Sequence, residues 1–226
     1  MPNDIKAHRM QLPREVIVGD GVIDEIGALY TRLGLKGPVL VVSGPKTYNI
    51  AGKEVVRSLS ERGIEAFTII ASEPTVDELR RVEQAARTRR VSAVIGVGGG
   101  SKIDIAKLAA SELNVPVISI PTAASHDGLS SPFASIKGLK RPYSVRAQAP
   151  VGVLVDMDII ADSPHRLAAS GCGDVIAKFT AVRDWRLAHE RNGEYYGDYA
   201  ASLALMSARL VAKNARRIGS GAREAA

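Results

Sequence analysis

Three short stretches of this chain carry residue types that do chemistry. The first is Gly98-Gly99-Gly100-Ser101-Lys102, which follows the apolar run 91–97 and precedes a helical pattern. Glycines at such a place let backbone N–H groups approach a pyrophosphate without Cβ obstruction, and a helix N-terminus adds partial positive charge. The spacing is not G-x-G-x-x-G, and a strand–glycine turn–helix also serves as a plain βα turn. Asp104 and Lys107 follow. Asp104, read in the first helical turn, suits either the positive end of the helix dipole or a ligand contact, and Lys107 could reach phosphates or face solvent. The second stretch is Thr122-Ala123-Ala124-Ser125-His126-Asp127-Gly128, running on to Ser131. Thr122 and Ser125 put hydroxyls at a strand's carboxyl end, where open α/β sheets bind ligands. Asp127 could accept hydrogen bonds from a substrate hydroxyl, or His126-Asp127 is an ordinary polar loop. The third is Gly171-Cys172-Gly173-Asp174. By residue type alone Asp174 reads as an N-cap opening a helix, and Cys172 as a small buried thiol.

The elements that must hold these stretches follow from hydrophobic period. Apolar runs over 12–19, 37–44, 64–71, 91–97, 114–122 and 151–156 read as strands, several of them continuous enough for a buried parallel sheet. Between them, 21–33, 51–62 and 102–113 read as helices. Another helix is expected from a Thr75 cap to about Thr88, with Glu78 at the capping-box position. This βα alternation predicts an α/β fold, a Rossmann-like doubly wound parallel sheet. Residues 123–150 show no clear period. Glu73, after the second apolar βα strand, could accept a ribose 2′-hydroxyl or be a turn residue.

After about Asp162 the pattern turns helical. Val175, Phe179, Val182 and Trp185 share one spacing, and Tyr199, Leu203, Met206 and Leu210 another. We therefore expect residues 1–162 to form the α/β domain and 163–226 to begin an incomplete all-helical domain, ending in a loose tail from Gly219. Two or three helices cannot bury such stripes against each other alone. Further helices or another subunit are expected to cover them, which favours a homo-oligomer.

Composition bounds the rest. At 46% hydrophobic and 24% charged the chain is globular in type, and a single cysteine excludes an internal disulfide, which fits a reducing cytoplasm. The start lacks an apolar signal region, and no run approaches the roughly 20 apolar residues of a membrane span. The net charge of +6 sits mainly on helical stretches with few aromatics. That reads as solvated helix faces and attraction for an anionic small substrate rather than nucleic acid.

Taken together, GVGGGSKIDIAK, PTAASHDGLSSPFASI and DMDIIADSPHRLAASGCGDVIAK resemble one family. It is the archaeal-type sn-glycerol-1-phosphate dehydrogenases, within the superfamily of iron-dependent alcohol dehydrogenases, glycerol dehydrogenase and dehydroquinate synthase. The resemblance covers about residues 10–218. It implies NAD- or NADP-dependent, zinc-dependent reduction of dihydroxyacetone phosphate to sn-glycerol 1-phosphate, a step of glycerophospholipid backbone synthesis. It further implies that Gly98, Gly99, Gly100, Ser101 and Lys102, with Thr122, Ala123, Ala124, Ser125 and Ser131, bind the dinucleotide. Asp127 would bind substrate, and Asp174 would ligate zinc, contact substrate and act catalytically through the metal. The family's two later histidine ligands have no counterpart among His8, His126, His165 and His189. On one straight helix His189 would stand about 22 Å along from Asp174. The expectation is that this chain alone binds zinc weakly and turns over slowly. Two alternatives stand beside it: a non-catalytic nucleotide-binding fragment or half of a split enzyme, and a dehydrogenase of a related polyol.

Overall fold

The computed structural model describes residues 10–138 and 143–220. Its strands, in chain order, are β1 Glu15–Gly19, β2 Val39–Ser43, β3 Ala66–Ile70, β4 Ala93–Gly98, β5 Val117–Pro121, β6 Phe133–Ile136, β7 Tyr143–Arg146 and β8 Gly152–Asp156. Among the described residues, six of these form one sheet in the order β1-β8-β5-β4-β2-β3, with every neighbouring pair parallel. Strands β2, β4 and β5 are buried along their whole length, which is why they read as unbroken apolar runs. Edge strand β1 alternates instead, leaving Val16 and Val18 exposed.

The helices are α1 Ile26–Arg32, α2 Pro45–Thr47, α3 Lys53–Glu61, α4 Val76–Thr88, α5 Gly100–Leu113, α6 Met157–Ala161, α7 His165–Ile176, α8 Lys178–Asn192 and α9 Asp198–Gly219. Successive strand residues point to opposite faces, and the core divides accordingly. Val39 and Val41 pack with Ile26, Leu29 and Tyr30 of α1 and with Val55 and Leu59 of α3. Leu40 and Val42 pack with Val82 and Ala86 of α4 and with Ile105, Ala106 and Ala109 of α5. The sheet is thus covered on both faces, as the alternation predicted.

Several expected details differ. The expected helix over 51–62 begins at Pro45, because Gly44-Pro45 starts a helix readily, and it passes through a π-helical turn at Tyr48–Gly52 before α3. Thr75 does cap α4, its hydroxyl accepting from the Glu78 N–H at 3.2 Å. The Glu78 carboxylate, however, does not return to Thr75. It accepts from the Ser72 N–H at 2.7 Å and from the Arg81 guanidinium, whose hydrogen bond holds its pKa down at about 2. Within the stretch that lacked a period, β6 and β7 pair antiparallel. Ala134 and Ile136 turn inward against Leu108, an alternation too short to stand out in the sequence.

The described chain divides into two compact units. Gln11–Ala124 with Gly128–Pro164 makes the sheet unit. Ser125–Asp127 groups with the chain from His165 onward, which holds α7, α8 and α9. Within the latter, α9 packs against α7 and α8. Its buried residues are the small Ala201 and Ala208, while Tyr199, Met206 and Leu210 are 62%, 51% and 55% exposed. The large apolar stripe read from the sequence therefore faces solvent in this unit. The end of the expected loose tail, residues 221–226, lies outside the described residues, and α9 extends to Gly219.

Gly96 sets how closely α5 approaches the sheet. A Cβ there would lie 2.8 Å from the Ala106 Cβ and 3.1 Å from the Ile103 Cα. Because backbone cannot yield cheaply, Gly96→Val is expected to destabilise the fold by about 1–3 kcal/mol or more. A thermal melt unchanged from wild type would show that α5 has room the geometry denies it.

Candidate functional site

The glycine turn stands where the sheet reverses its order of growth. After β2 the chain moves outward to β3, then returns to the other side of β2 as β4. The crevice beyond the carboxyl ends of β2 and β4 is therefore a topological switch point, the place where open α/β sheets bind ligands. Hydroxyls tie the two strand ends together. Ser43 Oγ and Thr47 Oγ1 both donate to the Val97 carbonyl, at 2.9 and 3.3 Å, and Thr47 Oγ1 accepts from the Gly44 N–H at 2.9 Å.

The glycines of the turn do different things. Gly98 has φ +148°, and a Cβ on it would meet the Lys102 Cγ at 2.9 Å and the Thr47 Oγ1 at 3.1 Å. Gly99 is extended, caps α5, and would point a Cβ into open space. Gly100 opens the helix. No side chain caps α5 and no acid lies in its first turn. Its leading N–H groups thus end at an open face, an arrangement suited to a phosphate. Ser101 is half-buried at the same end.

Lys102 does not project freely. Its chain lies over Gly98 and Gly44, and its ammonium donates to the Ser72 carbonyl beyond β3. Burial lowers its pKa, against the opposing pull of Glu78 and Glu73. Glu73 forms a 2.9 Å ion pair with Lys137, whose hydrogen bond lowers the Glu73 pKa. It sits in the turn leading to α4, with its carboxylate engaged there.

Lys107 and Asp104 correct the sequence reading. Asp104 lies beyond the first turn of α5, because the helix begins at Gly100. Lys107 neither faces solvent nor aims at a phosphate: its side chain is wholly buried. Its ammonium donates to the Gly128 carbonyl at 2.7 Å and the Ser131 carbonyl at 3.4 Å, and to the Phe133 carbonyl. It pairs with Asp104 at 3.2 Å, whose other oxygen accepts from the Ser135 N–H at 3.1 Å. One i, i+3 pair thereby fixes the whole course of the chain from Gly128 to Ser135. Ser131 turns its hydroxyl toward the Gly128 and Phe133 carbonyls, inside this same turn. Thr122 and Ala123 are buried, and the Thr122 N–H donates to the Gly98 carbonyl at 3.2 Å, joining the strand-end loop to the glycine turn. Ala124 is exposed.

The helical unit gathers a second set. Asp174 does not cap a helix. It lies in the last turn of α7, since Gly171 and Gly173 are taken into the helix interior. A carboxylate there opposes the helix dipole. The opposition is met by the Asp127 N–H, which donates to Asp174 Oδ2 at 2.9 Å, and by the nearby charge of Lys178. Lys178 Nζ stands 2.6 Å from Asp127 Oδ2, and this hydrogen bond raises the lysine's pKa. Lys178 was not singled out from the sequence. Its one signal was a place four residues after Asp174, the spacing of neighbours on a helix.

Ser125 and His126 are half-buried beside Asp127 in the chain, and Cys172 is half-buried in α7. The helical pattern around Asp174 is broken at Ala177, so His189 lies on a separate helix, α8, where its Nδ1 meets the Glu194 carbonyl at 2.5 Å. Among the described residues, no three His, Cys, Asp or Glu side chains gather as a metal centre requires.

Comparison with known proteins adds three findings. The family described as iron-containing alcohol dehydrogenase matches residues 17–164. A protein of Pyrococcus furiosus named glycerol-1-phosphate dehydrogenase [NAD(P)+] is 49% identical over 214 residues, covering 95% of this chain and 62% of that protein. One of the same name from Metallosphaera sedula is 48% identical, covering 91% of this chain and 58% of that protein. The chain spans about three fifths of the length of these relatives. In fold, the crystal structure of glycerol dehydrogenase from Schizosaccharomyces pombe superposes with a TM-score of 0.81 at 23% identity, over 96% of this chain and 56% of that one. Among the described residues no helix is long and apolar enough to cross a membrane.

The buried lysine gives the site's direct test. Lys107→Met leaves Asp104 and three carbonyls without their cation, so it is expected to cost about 3–5 kcal/mol of stability. A denaturant midpoint within error of wild type would show that the loop holds itself without the clamp.

Proposed function

Because the chain belongs to the iron-containing alcohol dehydrogenase family, we propose that it serves the NAD(P)-dependent interconversion of dihydroxyacetone phosphate and sn-glycerol 1-phosphate. The observation that carries this reading is near-half identity, along almost the whole chain, to proteins named for that activity. The open face at Gly99 supports it independently, since a dinucleotide's pyrophosphate needs backbone N–H groups with no Cβ in front of them.

In this reading the nicotinamide, when bound, gives or takes a hydride at the substrate's C2. The chain's own residues bind and orient. The amides from Gly98 to Ser101 receive the pyrophosphate. Lys102, Thr122, Ala123, Ala124, Ser125 and Ser131 line the dinucleotide. Asp127 accepts a hydrogen bond from the substrate's hydroxyl. Asp174 contacts the substrate and is the metal ligand the chain itself contributes. Zinc needs further donors than this one carboxylate. Lys107 and Asp104 act at one remove, by holding the loop that carries Ser131. Self-association through the exposed stripe Tyr199–Leu203–Met206–Leu210 belongs to the same proposal. So does action in the cytoplasm.

A second reading is favoured by one observation, the lack of a three-donor metal group among the described residues. In it the chain is a nucleotide-binding module without turnover of its own, or half of a split enzyme. Assays separate the readings. NADH oxidation with dihydroxyacetone phosphate, yielding sn-glycerol 1-phosphate, supports the dehydrogenase. Faster oxidation of glycerol or of glycerol 3-phosphate points to another polyol. NADH binding without any turnover supports the module.

Two outcomes are expected of the chain alone. Gly99→Val should weaken NADH at least about tenfold, the loss of one amide–phosphate bond, while lowering the melting temperature by only about 2–4 °C for a poorer N-cap. Unchanged NADH affinity would remove the glycine turn from the cofactor site. Zinc titration should reveal no tight stoichiometric site, and calorimetry showing one would mean that Asp174 shares the metal with further donors of this chain.

A further inference from the structure

Resting on the reading of the substrate as a glycerol phosphate, we propose that Lys178 is the residue that receives the substrate's phosphate and so selects phosphorylated over plain polyols. The argument starts from charge. A phosphomonoester carries close to two negative charges at neutral pH. The residues assigned to hold the substrate, Asp127 and Asp174, are both carboxylates, and Asp174 stands at the negative end of α7. A phosphate brought to these groups alone would be repelled. Lys178 is a cation in contact with Asp127 and within reach of the charge of Asp174. Its ammonium lies 2.6 Å from Asp127 Oδ2 and feels the charge of Asp174 as well.

The Asp127 carboxylate occupies the place on that ammonium that a phosphate oxygen would take. The lysine is already holding an anion, and its side chain is 30% exposed, enough for an incoming ligand to reach it. Asp127 can give up the ion pair at little cost, because it is itself 53% exposed and pairs of this kind are weak in water. Once released, its carboxylate is free to accept from the substrate's hydroxyl while Lys178 turns to the phosphate. A phosphate offers three oxygens and a larger charge than the carboxylate it displaces, so the exchange runs toward the ligand. A plain polyol offers the ammonium only neutral hydroxyl oxygens, weaker acceptors than the carboxylate they would displace, and leaves the Lys178–Asp127 pair in competition with its own hydroxyl.

The test compares wild type with Lys178→Met and Lys178→Arg, with Lys178→Gln as a second neutral variant should the methionine chain misfold. Calorimetry in saturating NADH, which cannot accept a hydride from an alcohol, measures the Kd of inorganic phosphate, sn-glycerol 1-phosphate and glycerol. The neutral variants are expected to weaken both phosphates at least about tenfold, one charge-assisted hydrogen bond, while glycerol and NADH bind as in wild type. Arginine should restore most of the phosphate affinity. Equal weakening of glycerol and glycerol 1-phosphate would overturn the proposal, since Lys178 would then only position Asp127. So would unchanged phosphate affinity in the neutral variants. Lys178-dependent phosphate binding in a chain that neither binds nor turns over dihydroxyacetone phosphate or sn-glycerol 1-phosphate would sink the dehydrogenase reading and leave a phosphate site at Lys178 standing. Turnover of dihydroxyacetone phosphate with an unchanged KM in Lys178→Met would do the reverse.

Discussion

A lysine ammonium taken wholly out of water must be surrounded by oxygen, and the position of Lys107 makes that requirement organise the sheet unit. Desolvating an unpaired cation costs several kcal/mol, so the folded state is held to arrangements that bring carbonyls to it. The available ones belong to Gly128, Ser131 and Phe133, and Asp104 supplies the opposing charge. Helix α5 is itself fixed against β4 through the bare Cα of Gly96. A loop with no regular hydrogen-bonding pattern over much of its length is thereby held to the helix that the glycine turn begins. The cation gives the loop order that its own sequence does not supply.

The glycines of β4 and the following turn divide three tasks that a motif reading merges. Gly96 lets helix and strand touch, Gly98 adopts a backbone angle that a side chain resists, and Gly99 leaves space in front of amides. The first two are needed for packing and backbone conformation, and only the third has open space in front of it. A run of glycines is thus not evidence of equal function at each position. The nearby hydroxyls of Ser43 and Thr47 show the same economy, spending their hydrogen bonds on joining two strand ends rather than on a ligand.

The helical unit shows the opposite balance. Its helices pack through small residues, Ala201 and Ala208, and leave the large apolar side chains of α9 outward. Its polar cluster is likewise placed against local preference, with Asp174 in the last turn of a helix where carboxylates are disfavoured. A neighbouring backbone N–H and the nearby charge of Lys178 offset that cost. Groups held where local energetics do not want them are candidates for chemistry, and this is the reason to look for substrate recognition at Asp127, Asp174 and Lys178.

What the sequence determined by itself is everything governed by neighbours in the chain. The buried strands, the helices between them and the Thr75 cap were legible because burial period and backbone hydrogen bonding act over a few residues. The glycine turn was legible for the same reason, as a local conformation that only glycine relieves. Tertiary structure alone decided the sheet order, which sets the switch point, and the fate of the charged side chains. Lys107 looks like any helical lysine until carbonyls more than twenty residues away close over it. Asp174 looks like a cap until α7 is seen to begin at His165 and run past it. Asp127 and Lys178 are 51 residues apart in sequence and meet only once the chain has folded. A charge's role depends on which partners reach it through space, and no local pattern encodes that distance.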